Sequence, residues 1–132
     1  MTLGRGQSGI EMSVNGKSGP RDDTDAFLRA LDELTEALDV NIRRAQRMKE
    51  RITAIQAALA GGERLREVVP NEETPLLVEL LTQSAENLSA YGSKVRRLEA
   101  RALHQEGLTM EQIAKLFGVT RQRVSTLLRE GR

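Results

Sequence analysis

The chain has 132 residues, with 20 basic and 19 acidic side chains and a formal net charge of +1. Cysteine is absent and His104 is the single histidine, which excludes disulfides, thiolate zinc sites, iron–sulfur clusters, a cysteine nucleophile and multi-histidine metal sites. Phe27, Tyr91 and Phe117 are the only aromatic residues, too few for a β-sandwich core or a base-stacking platform.

Abundant Ala, Leu, Glu and Arg, with proline confined to Pro20, Pro70 and Pro75, predict an all-α chain. No apolar run approaches the ~20 residues of a membrane span. The first residues lack a signal-peptide layout. The expected setting is the cytoplasm, with no membrane partner.

Residues 1–21 are rich in Gly and Ser and lack apolar periodicity, which predicts a disordered tail. Residues 22–60 form a long amphipathic helix. Asp22, Asp23 or Thr24 is expected to cap it and Gly61 to end it. Leu31, Leu34, Leu38, Asn41, Ala45, Met48, Ile52, Ile55 and Leu59 recur at alternating spacings of three and four, a heptad seam with one polar member. Residues 63–74 are a connector. A second helix is expected from Pro75, capped by Thr74. Its apolar face uses Leu77, Leu80, Leu81, Leu88, Tyr91, Val95, Leu98 and Ala102, and Gly92 marks a bend or a break.

Two such rods are expected to fold back as a long antiparallel helical hairpin over residues 22–92. One hairpin buries one side only, so a second copy is expected to cover the rest and make a homodimer. The dimerisation residues are then Leu31, Leu34, Leu38, Ile52, Ile55, Leu59, Leu77, Leu81 and Leu88.

Charge is segregated. Residues 61–92 carry two basic and six acidic side chains, whereas residues 93–132 carry nine basic and four acidic. The C-terminal end is where a polyanion would be met. Within it, Thr109 and Gln112 form a capping box before a short helix from Met110 to Phe117. Gly118 suits a tight turn, and Thr120 caps a last helix, 121–130. Ile113, Ala114, Phe117, Val119, Val124 and Leu127 are expected to face inward, closing a core with Leu98, Ala102 and Leu103. This is helix-turn-helix spacing.

The run from Leu108 to Val124 resembles bacterial helix-turn-helix domains of the homeodomain-like kind, nearest the promoter-reading C-terminal domain of sigma factors. The resemblance covers about residues 95–130. No upstream sigma domains accompany it, so it implies a small bacterial transcriptional regulator rather than a sigma factor.

With Val124, Leu127 and Leu128 inward, helix 121–130 presents Arg121, Gln122, Ser125 and Thr126 for base readout: Arg121 suits guanine and Gln122 adenine. Thr109, Lys115, Thr120, Arg123, Arg129, Arg96, Arg97 and Arg101 are phosphate candidates. The expected partner is double-stranded DNA, read by a homodimer, with no cofactor, no metal and no enzymatic role. The alternatives are a nucleoid-associated architectural DNA-binding protein and a coiled-coil protein-interaction module contacting the transcription machinery. Arg43, Arg47 and Arg51 read as a solvated face paired with acids, and secondarily as a site for DNA or an anionic small-molecule effector. Asn15-Gly16-Lys17-Ser18 lacks the glycine and the strand of a phosphate-binding loop.

Overall fold

The computed structural model describes residues 20–130. Residues 1–19, which hold most of the predicted tail, lie outside the described residues. The chain is all-helical, as expected, with no strand among the described residues. Its elements are α1 (Pro20–Ala60), α2 (Leu65–Val68), a 3₁₀ turn (Val69–Asn71), α3 (Leu77–Gln105), α4 (Met110–Phe117) and α5 (Arg121–Arg129). The described residues divide into two compact units, residues 29–96 and residues 97–130 together with 20–28.

Pro20 begins α1, two residues before the predicted boundary. Asp22 and Asp23 stand in the first turn rather than at the cap, where carboxylates meet the positive end of the helix dipole. The end of α1 is a Schellman closure: Gly62 N–H donates to Leu59 O (3.1 Å) and Glu63 N–H to Ala58 O (3.1 Å). The left-handed residue is Gly62, at φ +97°, one position beyond the glycine expected to end the helix.

Within residues 29–96, α1 and α3 run antiparallel. Glu33 Oε1 accepts from Lys94 Nζ at 2.8 Å, Arg44 Nη1 donates to Ser84 Oγ at 3.4 Å, and Arg51 Nη1 donates to Pro75 O at 3.0 Å. Within this stretch of α1, Ala30 is buried and Leu31, Leu34, Ala37, Asn41, Arg44, Met48, Arg51, Ile55 and Ala58 are partly buried. On α3, Leu80 is fully buried, and Leu77, Ser84, Asn87, Tyr91 and Lys94 are partly buried.

Alternation of three and four therefore holds, but on a different set of residues. Leu34, Asn41, Met48 and Ile55 stand in the seam as predicted. Leu38 (42%), Ile52 (40%) and Leu59 (40%) are exposed, as are Leu81 (53%) and Leu88 (42%) on α3. Ala45 is also exposed, whereas Leu31 is partly buried like Leu34. The physical reason is that Ala37, Arg44, Arg51 and Ala58 take the inward column. The two arginines find polar partners across the seam, and the alanines allow close approach.

Helix α3 starts at Leu77, not Pro75. Carboxylates replace the expected Thr74 cap: Leu76 N–H donates to Glu79 Oε1 (2.6 Å) and Leu77 N–H to Glu72 Oε1 (2.9 Å). The helix runs unbroken through Gly92, so the predicted division at residues 92 and 93 falls inside it. The expected break is absent because helix α3 tolerates one glycine at about 1 kcal/mol.

The C-terminal unit closes on Ala100, Ile113, Ala114, Val124, Leu127 and Leu128, with Leu103, Leu108, Met110 and Phe117 packed against them. Ile113 and Val124 have no exposed surface, each contributing about 1.5–3 kcal/mol of burial. Ala100, rather than Leu98 or Ala102, is the α3 residue at the centre. Val119 is 38% exposed rather than inward, because it follows the left-handed Gly118 and its N–H turns back to Ala114 O at 3.0 Å.

Gly118 has φ +69°, and a Cβ there would meet no neighbour within 4 Å. The cost of a side chain is thus backbone strain alone. Gly118→Ala is expected to lower stability by about 1 kcal/mol and Gly118→Asn by less, measured by urea denaturation.

Candidate nucleic-acid interface

Two local devices set the geometry of α4 and α5. Gln112 N–H donates to Thr109 Oγ1 (3.1 Å) while Thr109 N–H donates to Gln112 Oε1 (2.9 Å), a complete capping box. Gly118 then turns the chain, and Thr120 Oγ1 accepts from Arg123 N–H at 3.0 Å to start α5. Thr109→Ala is expected to cost about 1 kcal/mol in the same denaturation assay.

Helix α5 is divided by its core. Val124, Leu127 and Leu128 are buried, while Arg121, Gln122, Arg123 and Arg129 are exposed. Its first turn carries no acid. Ser125 and Thr126 are only partly exposed, since they flank the buried positions on the helical wheel. The Thr126 hydroxyl donates to Gln122 O at 3.2 Å, which engages its proton within the helix. Of the four expected readout residues, Arg121 and Gln122 are the fully presented pair.

A nearby acid escaped the sequence reading. Glu111 Oε2 lies 3.8 Å from Arg121 Nε, and Glu130 Oε2 lies 3.7 Å from Arg123 Nη1. All four side chains face water, and pairs of this kind contribute little. Glu111 belongs to α4, so a helical wheel of the last helix does not contain it.

The phosphate candidates separate into three groups. Lys115, Arg123 and Arg129 are exposed. Thr109 and Thr120 act as caps, and the Thr109 N–H is taken by Gln112, so it is no free donor to phosphate. Arg97 and Arg101 are partly buried, and Arg97 Nε is buried without a hydrogen-bond partner. Arg96 is exposed but belongs to the other unit, with its guanidinium over Gly92.

Arg51 is not on a solvated face. It bonds Glu72 Oε1 (3.1 Å), Glu73 O (3.0 Å) and Pro75 O (3.0 Å), fastening the connector to α1. Arg47 and Arg51 line a cleft of about 410 Å³, but Glu50, Glu63, Glu72 and Glu73 line it too. Four carboxylates against two guanidiniums suit an anionic effector poorly. Among the described residues no group of three or more His, Asp or Glu is placed to hold a metal ion. No helix there is long and apolar enough to cross a membrane.

Compared with family models, with curated proteins and with solved structures, the chain matches none.

Proposed function

We propose that this protein is a sequence-specific, double-stranded DNA-binding transcriptional regulator that acts as a homodimer at the bacterial nucleoid. In this reading α1 and α3 form a coiled-coil-like hairpin that dimerises, and the C-terminal three helices form a helix-turn-helix. Helix α5 enters the major groove. Arg121 pairs with guanine and Gln122 with adenine, while Ser125 and Thr126 contribute from the flank. Lys115, Arg123 and Arg129 neutralise phosphates, and Arg97 and Arg101 of the same unit add positive charge.

The observation that carries this reading is the division of α5 into a buried aliphatic side and an exposed Arg-Gln-Arg start without an acid in the first turn. A helix serving packing alone has no need of that run at its exposed start. The experiment is fluorescence anisotropy on a labelled duplex across a salt series. With three phosphate-neutralising side chains on each of two protomers, log K is expected to fall against log salt with a slope of about −5. Affinity that ignores salt, or no binding at 50 mM salt, contradicts it. Steep salt dependence with equal affinity for every sequence would move the reading to an architectural nucleoid protein.

A further inference from the structure

Helices α4 and α5 carry one acid between them. Glu111 is the single carboxylate of Met110–Phe117, and Arg121–Arg129 has none, against Lys115, Arg121, Arg123 and Arg129. A carboxylate that served solubility alone could stand at any exposed position of α4. This one stands with Oε2 3.8 Å from Nε of Arg121 on the other helix.

Both ends of the pair are carried on fixed backbone. Glu111 is the second residue after the Thr109 cap, whose capping box with Gln112 is complete. Arg121 is the first residue after Thr120, whose hydroxyl accepts from Arg123 N–H. Buried Ile113, Ala114 and Val124 belong to one core that holds the two helices together. The approach of Glu111 to Arg121 is therefore set by the packing of α4 on α5.

The nitrogen that Glu111 faces is informative. Nε is the inner nitrogen of the guanidinium, so Nη1 and Nη2 of Arg121 remain as an open fork. A fork of two parallel donors is what reads the O6 and N7 acceptors of guanine. Arg123 differs, because Glu130 Oε2 lies 3.7 Å from its Nη1, one of the two fork nitrogens. The two acids thus sort neighbouring arginines into one with its fork open and one with its fork occupied.

In the free protein the Glu111–Arg121 pair is weak, since the Arg121 and Glu111 side chains are 62% and 75% exposed. A duplex laid against α5 excludes water, and the attraction at a given separation grows as the dielectric falls. Holding the arginine beforehand also reduces the rotamer freedom that base contact must remove. The same carboxylate repels phosphates, which disfavours binding modes in which Arg121 rests on the DNA backbone.

We propose that Glu111 is the positioning residue for Arg121. It directs the Nη fork towards a guanine and raises selectivity at a cost in affinity. This inference rests on base readout by Arg121, as proposed above, and adds the residue that aims it.

The probes are a duplex selected by the unaltered chain and copies with single base pairs replaced, compared by fluorescence anisotropy at one salt concentration. Arg121→Ala comes first and identifies its base pair as the one whose replacement no longer matters. No selected duplex, or every preference unchanged in Arg121→Ala, would overturn the readout and this inference together. At that base pair Glu111→Gln, which keeps the size and removes the charge, is expected to lower the preference for guanine about threefold or more, and Glu111→Ala further. Both should bind the replaced duplexes more tightly than the unaltered chain does. Combined with Arg121→Ala, neither should change the preference again, which separates an effect through Arg121 from a loss of helix stability. Full preference in both single variants, with affinity rising equally for every duplex, would overturn the positioning role and leave the Arg121 readout standing.

Discussion

Replacing Arg121 and Gln122 together by alanine is expected to remove sequence preference for duplex DNA while leaving the helical fold and the dimer intact. Both side chains project from the first turn of α5, away from Val124, Leu127 and Leu128. Their loss leaves no cavity. The Thr120 cap, which bonds the backbone of Arg123, is untouched. Each bidentate side-chain–base pair is worth about 1–3 kcal/mol of discrimination, so the double variant should lose about a hundredfold or more in selectivity. Residual, salt-sensitive affinity should persist through Lys115, Arg123 and Arg129. Gel shifts with a selected and a scrambled duplex measure this directly. Unchanged selectivity in the double variant would remove both residues from base readout.

Arg51→Ala is expected to be the most destabilising single change outside the aliphatic core. The Arg51 and Glu72 side chains are 11% and 6% exposed, so the pair is largely desolvated. The same carboxylate accepts the Leu77 N–H that begins α3, and the same guanidinium holds the carbonyls of Glu73 and Pro75. Truncating the arginine strands a nearly dry carboxylate, a loss of about 3 kcal/mol. Adding Glu72→Gln to that variant should restore part of it, because the amide oxygen still accepts from Leu77 without a buried charge. Arg51→Lys should remain destabilising, since an ammonium does not reproduce the guanidinium's contacts with three acceptors. Urea midpoints at unchanged m-value report the differences. A shift under about 0.5 kcal/mol for Arg51→Ala would mean that water screens the pair as at an open surface.

The contrast between the two ends of the chain explains what was legible in the sequence. Thr109 with Gln112, Gly118 and Thr120 act on backbone groups a few residues away, so their chemistry is written in local order, and α4 was located to the residue and α5 to within one. The inward sets of α4 and α5 followed from helical periodicity, apart from Val119 at the turn. The α1 seam was not legible in this way. Two adjacent columns both repeat in heptads, and hydrophobicity selected the larger aliphatics. The inward column instead contains Arg44 and Arg51, whose partners Ser84 and Glu72 lie far along the chain. Glu72 was hidden for the same reason, as a connector residue that caps α3 from outside the helix. The exposure of Arg121 and Gln122 was legible because an Arg-Gln pair beside buried Val124 needs only the helical wheel. The partial burial of Ser125 and Thr126 depends on packing that the wheel does not contain.

In the proposed function α5 reads base pairs. The most direct measurement is selection of bound duplexes from a random library by the full chain, followed by sequencing. The expected result is an enriched motif with a guanine and an adenine in each half-site, repeated with two-fold symmetry, and depleted when Arg121 and Gln122 are replaced. Recovered sequences indistinguishable from the starting library would contradict it.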